Sequence, residues 1–305
     1  MDAILSPITN MPCKIVAKID SEKIKDIYLS EFNVDVTEYF TADITNVFIC
    51  ECPQTLYRFY YPAIVGKPEF YTFLYNYDWY YVKWKWENEQ SLKYINKQDK
   101  ILDVGCGSGL FLLELKARGF QNLNGLDNGI LDEKIFTENN IFFNNNTIEK
   151  FSTTNENTFD VITCFQILEH IQDVKIFLET CQKMLKPNGK LIIAVPNCNP
   201  YLYKNDMLNA LNMPPHHQGL WNRTSLNNMA HFFSLKTIDI KTQPIGNYLG
   251  FYTDIQKNRL KKQSLILNKL LNNNLLSKVY NKLLYMKRNK IDGHTILAVY
   301  EKMKN

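Results

Sequence analysis

The chain has 305 residues, of which 45% are hydrophobic and 22% are charged, so it can bury a large core and has the composition of a globular protein. No apolar run is long enough to cross a bilayer, and the first residues lack the basic and apolar regions of a signal peptide, so we expect no secretion. The seven cysteines are irregularly spaced, which favours a reducing, cytoplasmic location over a disulfide framework.

The net charge of +4 hides a local excess of positive charge. Residues 255–291 contain ten Lys or Arg and no Asp or Glu, so the remainder of the chain is net negative. This distribution describes one basic surface rather than a uniformly basic protein. No nucleic-acid-binding motif accompanies it, so nucleic acid is not an expected partner.

Residues 1–65 predict a small β-rich cap. Residues 14–19 alternate apolar and polar side chains, and two further runs of strand-forming residues follow. Cys13, Cys50 and Cys52 lie in this segment. Because no Cys-x-x-Cys pair is present, we predict no zinc site there.

Residues 66–98 are an aromatic leader to the following domain. Residues 70–86 contain ten aromatic rings, and a helix is predicted over 87–95. Most of these rings are expected to pack in the core. A ring that faced a cationic ligand would gain a cation–π attraction of about 1 kcal/mol. The candidates for such a contact are Tyr80, Tyr81 and Trp84.

Residues 101–109, Ile-Leu-Asp-Val-Gly-Cys-Gly-Ser-Gly, are the most informative segment of the chain. An apolar strand ends in Asp103, glycines follow at alternate positions, and an apolar helical run begins at Leu110. Glycine permits a tight turn and the close approach of a ligand to the free N–H groups of a helix N-terminus. The dinucleotide fingerprint needs a glycine at its sixth position, where this loop has leucine, which disfavours an NAD-dependent oxidoreductase. A nucleoside triphosphate site is disfavoured because no Gly-Lys-Ser/Thr sequence follows.

The pattern Asp-x-Gly-x-Gly-x-Gly resembles motif I of the class I S-adenosylmethionine-dependent methyltransferases. In that family the loop passes beneath the amino acid end of the cofactor, so the resemblance implies S-adenosylmethionine as the cofactor. Residues 122–127 predict a second strand that ends in Asp127, about 20 residues after the loop, where a doubly wound fold places a carboxylate for ribose hydroxyls. Because Asp-Asn-Gly is also turn chemistry, a solvated turn residue is the alternative role for Asp127.

Two later strands extend the resemblance. Residues 159–170 predict a buried strand that runs into a loop, and residues 174–185 an amphipathic helix. Residues 186–189 are expected to stop this helix, and an apolar strand at 190–197 follows. The sequences of the two strands, with Leu-Glu-His and Leu-Lys-Pro-Asn-Gly-Lys, resemble the fourth and fifth strands of the same methyltransferase class. A later helix is predicted from Thr224, as its N-cap, to His231. Apolar strands that alternate with helices imply a parallel sheet covered on both faces.

The last two predicted strands, 236–242 and 295–300, are separated by a helical insertion at 254–290, where the class usually has a tight hairpin. The insertion is amphipathic, and the sequence allows a break into two helices at 272–274. Three interpretations stay open: it packs on the sheet edge with a solvated basic face, it forms a homodimer interface, or it docks on an anionic membrane or a charged lipid-linked substrate. The predicted fold class is α/β, with a Rossmann-like, seven-stranded, mostly parallel sheet in residues 99–305.

The resemblance also implies a set of cofactor-binding residues. Asn146 follows a predicted third strand at 141–143, in the region where the family usually has an aspartate near the adenine, and an asparagine can both accept and donate there. The backbone after the fourth strand is expected at the amino acid end of the cofactor. The implied set is Asp103, Gly105, Cys106, Gly107, Gly109, Asp127, Asn128, Asn146, Thr147, Phe165, Gln166, Tyr81 and Trp84.

His216 and His217 are the catalytic candidates. They follow the fifth strand, and ligands of doubly wound sheets bind beyond the carboxyl ends of the strands. A neutral imidazole can act as a base at cytoplasmic pH, and the Pro-Pro-His-His sequence resembles a motif of a bacterial subgroup of the family. Alternatively, the two histidines have a structural role and cap or pack in their loop. His170 is a second candidate, more often structural in the family. No other cluster has ligand spacing, so no metal is expected.

These features predict a methyltransferase that uses S-adenosylmethionine to methylate a small-molecule, sugar or lipid-linked glycan acceptor, with oxygen as the expected atom. Such a reaction needs in-line alignment of the reacting atoms and removal of a proton. The alternative is a catalytically silent cofactor-binding partner or regulatory protein. Beyond the acceptor, the expected partners are a peripheral membrane surface or a second copy of the chain, in contact with residues 254–290.

Overall fold

Two β-sheets organise the part of the chain that the computed structural model describes, which is residues 3–67, 69–71, 84–129, 133–199 and 210–304. The strands are β1 (Lys14–Asp20), β2 (Asn46–Glu51), β3 (Arg58–Tyr61), β4 (Ile101–Val104), β5 (Leu123–Leu126), β6 (Phe142–Asn144), β7 (Phe159–Phe165), β8 (Leu185–Pro196), β9 (Gly219–Leu220), β10 (Leu235–Pro244) and β11 (Asp292–Lys302). The α-helices are α1 (Ser21–Phe32), α2 (Trp86–Ser91), α3 (Leu110–Ala117), α4 (Lys134–Glu138), α5 (Ile148–Ser152), α6 (Val174–Met184), α7 (Arg223–Met229), α8 (Leu249–Gln263), α9 (Leu265–Asn272) and α10 (Asn274–Lys287).

The larger sheet has seven strands in the order β10-β11-β8-β7-β4-β5-β6. Strands β4 to β8 pair in parallel, and β11 pairs antiparallel with both β8 and β10. The central strands are covered on both faces, and Leu102, Ile162 and Leu191 have no exposed surface. The sheet confirms the predicted α/β fold class with a Rossmann-like, mostly parallel arrangement.

The smaller sheet has the order β1-β2-β3-β9, and its strands are antiparallel. The sequence patterns of the cap predicted only strands, yet α1 lies between β1 and β2. Asp20 caps this helix by accepting a 2.9 Å hydrogen bond from the Glu22 N–H, and Ile24 and Tyr28 form its buried face. Strand β9 comes from beyond residue 200, so the cap sheet takes residues from both halves of the chain. The domain boundaries at 65 and 98 stay predictions.

Helix α6 ends at Met184, as expected from the residues 186–189 that follow it. These residues lie within β8, where Asn188 adopts a φ of 62° and the pairing with β7 is irregular near Phe159. One local expectation is wrong. Thr224, predicted as an N-cap, lies inside α7. Asn222 caps that helix instead, because its side chain accepts from the Ser225 N–H at 2.9 Å and the Ser225 hydroxyl accepts from the Asn222 N–H at 3.0 Å.

The insertion before β11 consists of the three helices α8, α9 and α10. The predicted break near residues 272–274 is present, and Asn273 caps α10 by accepting from the N–H groups of Leu275 and Leu276. An additional break occurs at Ser264, whose hydroxyl caps α9. No helix in the described part of the chain is long and apolar enough to cross a membrane.

Helix α6 offers a matched test of where the core lies. Leu178 has no exposed surface and contacts the main core, whereas Ile176 on the same helix is 50% exposed. We expect Leu178→Ala to lower the free energy of unfolding by about 2–5 kcal/mol, because it removes buried methyl groups and leaves a cavity. Ile176→Ala should change it by less than about 0.5 kcal/mol. Urea unfolding of both variants measures the difference, and equal losses would contradict the placement of α6.

Candidate active site

The glycine loop between β4 and α3 has a backbone that only glycine adopts without strain. Gly105, Gly107 and Gly109 have φ values of 71°, 51° and 73°. A Cβ at Gly105 would lie 2.2 Å from Ile167 Cδ1, and one at Gly109 would lie 2.6 Å from Phe136 Cε1. No side chain caps α3 at Gly109. The loop therefore presents backbone N–H groups at a helix N-terminus, as the predicted cofactor requires.

Asp127 joins the end of β5 to this loop. Its Oδ2 accepts a 2.9 Å hydrogen bond from the Gly107 N–H, and its Oδ1 accepts a 2.8 Å bond from the Gly129 N–H. The bond from the Gly129 N–H belongs to the turn that the Asp-Asn-Gly sequence predicts. Each carboxylate oxygen keeps a further lone pair, so the group can also accept from a vicinal diol. The position fits the predicted ribose contact, which stays a prediction.

Asp103 lies at the end of β4, and its side chain is buried. Asp103 is only 4% exposed, and its Oδ1 accepts a 2.6 Å hydrogen bond from the Thr163 hydroxyl of β7. Burial raises the pKa of the Asp103 carboxyl to about 7, and the nearby charge of Asp127 adds to this effect. Asp103 therefore links two neighbouring strands directly before the loop.

The carboxyl end of β7 also has an unusual backbone. Gln166 adopts a φ of 56°, and its side-chain amide donates a 3.2 Å hydrogen bond to Glu87 of α2. Phe165 makes an edge-to-face contact with Phe111 at 5.0 Å between ring centroids. A positive φ at a residue other than glycine often marks a functional site. Sequence patterns gave no sign of Glu87, which is buried and whose pKa is raised by that burial.

Other predicted cofactor residues have local partners. The Asn146 amide donates to Asn144 Oδ1 at 2.6 Å, and the Thr147 hydroxyl caps α5. Trp84 stacks on Phe111 at 5.9 Å and has the Arg118 guanidinium 4.4 Å from its ring centre. Cys106 is buried in the loop, and Asn128 lies between Asp127 and Gly129. Tyr80 and Tyr81 lie outside the described residues. The cofactor roles of these residues stay predictions.

His170, His216 and His217, which we call the histidine cluster, come together at the carboxyl ends of β7 and β8. The rings of His216 and His217 stack at 4.3 Å between centroids, and His170 lies 4.9 Å and 4.8 Å from them. Sequence spacing identified the adjacent pair but not the trio, because His170 and His216 are 46 residues apart. The ligand atoms of the three side chains lie within 4.8 Å of one another, a group that the sequence did not reveal.

Burial keeps the histidine cluster uncharged. It lowers the pKa of His170 to about 4 and that of His216 to about 3, and it lowers the pKa of His217 well below its usual value. The adjacent Glu169 is 1% exposed, and burial raises the pKa of its carboxyl to about 8. Among the described residues, Glu169 Oε2 has no hydrogen-bond partner. The side chains of the cluster and of Glu169 are thus buried together and are uncharged at pH 7.

Asp127 provides a test of the cofactor site. In Asp127→Asn, one of the two backbone N–H groups would face an amide donor, and the charge would be lost. We expect the affinity for S-adenosylmethionine and its demethylated product to fall about tenfold to 100-fold, since hydrogen bonds to charged groups contribute about 1.5–3 kcal/mol. Calorimetric titration measures this, with Asp43→Asn on the exposed cap surface as the control. Unchanged affinity in a folded Asp127→Asn protein would contradict the assignment.

Comparison with known proteins agrees with this geometry. The family described as the methyltransferase domain matches residues 83–239, just over half of the chain. The ubiquinone biosynthesis O-methyltransferase of Psychrobacter arcticus is 32% identical over 112 residues, which cover 34% of this chain and 43% of that protein. The enzyme of the same name from Vibrio cholerae is 33% identical over 110 residues, which cover 34% of this chain and 44% of that protein. The matched segment thus spans less than half the length of these relatives.

A solved structure shares the fold. The S-adenosylmethionine-dependent methyltransferase from Archaeoglobus fulgidus is 16% identical and superposes with a TM-score of 0.51, over 76% of this chain and all of that one. Its likeness concerns the arrangement of strands and helices. The glycine loop, the position of Asp127 and the seven-stranded sheet agree with the family match. The chain belongs to the methyltransferase-domain family and has the fold of the class I S-adenosylmethionine-dependent methyltransferases.

Proposed function

We propose that the chain transfers a methyl group from S-adenosylmethionine to an oxygen atom of a small-molecule acceptor. The observation that carries this proposal is the bond between Asp127 and the strain-free glycine loop, which gives the cofactor a preformed cradle. The N–H groups at the start of α3, directly after the loop, would hold the amino acid end, Asp127 the ribose, and Asn146 the adenine. The bound cofactor supplies an electrophilic methyl group.

The histidine cluster supports an acceptor site beside this cradle. It lies at the same edge of the sheet as Gln166, and only three residues separate Gln166 from His170 in the loop after β7. Neutral imidazoles can accept a hydrogen bond from a hydroxyl group and so orient it, and their pKa values, which burial lowers, make them weak bases for its proton. We assign His216 and His217 to the binding and activation of the acceptor, in accordance with their predicted catalytic role.

Oxygen is the proposed methylated atom because the named relatives are O-methyltransferases. Within the small-molecule class, we favour a sugar or lipid-linked glycan hydroxyl. A lipid-linked acceptor is supported by the amphipathic insertion, which would bring the enzyme to a membrane surface. The catalytically silent alternative requires that the cofactor bind without turnover on any acceptor.

The assignment of the histidine pair predicts separate effects on binding and turnover. We expect His216→Ala and His217→Ala to lower methyl transfer about 100-fold or more, while the affinity for S-adenosylmethionine stays within about twofold. Transfer of a labelled methyl group to a catechol, a nucleotide sugar and a lipid-linked glycan measures the rate. His231→Ala, on an exposed histidine after α7, is the control. Unaltered rates in both variants would remove the pair from the mechanism, and cofactor binding without any product would favour the silent alternative.

The insertion is suited to an anionic membrane surface. Helices α9 and α10 have no buried residues in the described structure, and Leu265, Ile266 and Leu275 are 82%, 71% and 70% exposed. These apolar side chains lie among the ten basic residues of 255–291, with no acidic residue in the same segment. Apolar side chains can enter the lipid interface while lysines contact anionic head groups. We therefore propose membrane contact, rather than a homodimer, for this surface.

Vesicle binding tests the membrane proposal. We expect the protein to sediment with phosphatidylglycerol vesicles, less with phosphatidylcholine vesicles, and less at high salt because exposed charges are screened. Lys278→Glu and Leu275→Ser should each weaken this binding. The matched changes Lys23→Glu and Leu29→Ser on the exposed face of α1 should not. Self-association in ultracentrifugation that Leu275→Ser abolishes, without vesicle binding, would establish a homodimer and overturn the proposal.

A further inference from the structure

The histidine cluster has the composition of a metal site. Its three side chains each offer one ligand nitrogen, and these atoms lie within 4.8 Å of one another. A tetrahedral ion with metal–nitrogen bonds of about 2.0–2.1 Å holds its ligand nitrogens roughly 3.4 Å apart. Closure around an ion therefore needs the nitrogens to approach by about 1 Å and the stacked rings of His216 and His217, whose planes are 19° apart, to tilt toward it. All of these rings are buried or half-buried.

Backbone carbonyls fix the tautomers of two of the rings. His170 Nδ1 lies 2.7 Å from the His216 carbonyl oxygen, and His216 Nδ1 lies 2.9 Å from the Leu211 carbonyl oxygen. A carbonyl only accepts hydrogen bonds, so each Nδ1 donates. In a neutral ring the lone pair then lies on Nε2, which is the form that binds a metal ion. A donor bond from the other ring nitrogen to a carbonyl is the usual support of a histidine ligand.

Glu169 adds a carboxyl group to the cluster. Its Oε1 lies 3.9 Å from His170 Nε2, on the side of the ring that carries the lone pair. Its Oε2 is buried, and no described residue forms a hydrogen bond with it. A buried oxygen without a partner is costly, and such an oxygen is expected to bind a group that the described residues do not supply. A cation between Glu169 and the rings would meet this need.

Aromatic rings of the leader shield the cluster from water. Phe70 is 4% exposed and lies 6.0 Å from the His216 ring, and Tyr71 makes an edge-to-face contact with His170 at 5.4 Å. A low-dielectric shell of this kind strengthens the attraction between a cation and its ligands. Imidazole and carboxylate ligands together suit zinc and similar divalent transition ions better than calcium or magnesium.

We propose that His170, His216 and His217 bind one divalent transition-metal ion of the zinc type, with Glu169 as a carboxylate ligand. This site shares His216 and His217 with the acceptor site proposed above. A ring whose Nε2 binds the ion cannot also take a proton, so the ion rather than the ring would then contact the acceptor hydroxyl. The site goes beyond the methyl transfer itself, and it can be tested without any acceptor. Simple packing of neutral histidines would explain the stacked rings of His216 and His217. It would not explain why the Glu169 carboxyl is buried with Oε1 beside His170 Nε2 while its other oxygen, Oε2, has no described partner.

Cobalt provides the first measurement. The full chain is stripped with a chelator and titrated with Co²⁺ as the probe. We expect visible absorption bands of tetrahedral cobalt that saturate at one ion per chain and disappear when Zn²⁺ is added. Because the ligands are nitrogen and oxygen, no thiolate charge-transfer band should appear. A thiolate band would place the ion at the cap cysteines, and the lack of any tetrahedral bands would also overturn the proposal.

Variants assign the ligands. His170→Gln, His216→Gln and His217→Gln should each lower the Zn²⁺ affinity by at least about tenfold, and Glu169→Gln should lower it less. His231→Gln, at an exposed histidine, is the control. Unchanged Zn²⁺ affinity in the double variant Cys13→Ser and Cys52→Ser would exclude these cap cysteines as ligands. Retained affinity in all the cluster variants would refute the site. X-ray absorption of the zinc-loaded wild type should give imidazole scattering without sulfur, and this result does not depend on whether a variant folds. Cofactor affinity measured on the same samples separates failure of this site from failure of the methyltransferase proposal.

Discussion

The backbone carbonyl of Glu169 links the two sheets of this molecule. It accepts hydrogen bonds from the N–H groups of Gln218 and Gly219 at 2.8 Å and 2.9 Å. Glu169 belongs to the loop after β7, and Gly219 begins β9 of the cap sheet, so one acceptor connects the parallel sheet to the cap. Because Gln218 follows His217 and Glu169 precedes His170, the same two bonds bring the histidine cluster together.

Gln218 reinforces this connection with its own side chain. Its Oε1 accepts a 3.1 Å bond from the Ile64 N–H, its Nε2 donates to the Ile64 carbonyl, and its backbone carbonyl accepts from the Tyr60 N–H at 3.0 Å. The residue is only 3% exposed, so each of these groups would be costly to leave without a partner. The cap is therefore held by a buried polar network, and the position of His216 and His217 depends on that network together with the bonds of their own loop to Leu211 and Met213.

The sequence predicted the cofactor half of the site because its determinants are local. Gly105, Gly107 and Gly109 are required by positive φ values within one turn, and Asp127 reaches that turn from the next strand. The cluster depends instead on contacts between distant segments, such as the 154 residues between Ile64 and Gln218. No periodicity in one sequence encodes that pairing, so neither the approach of His170 nor the burial of Glu169 could be predicted. Asn222 was missed for a smaller reason, since Asn222 and Thr224, two positions apart, are both of residue types that cap helices.

Two buried carboxyl groups differ in their hydrogen-bond partners, and this difference separates a structural role from a role in ligand binding. Asp103 and Glu169 both have pKa values raised by desolvation, to about 7 and about 8. Asp103 receives a hydrogen bond from Thr163 across neighbouring strands, which accounts for its burial as a structural link. Glu169 Oε2 has no described partner, although the backbone carbonyl of this residue accepts two hydrogen bonds at the junction of the sheets. The main chain fixes this residue firmly while one oxygen of its side chain lacks a described partner. Such a combination is expected where the fold holds a group in place for a ligand, and here that group faces the lone pair of a histidine.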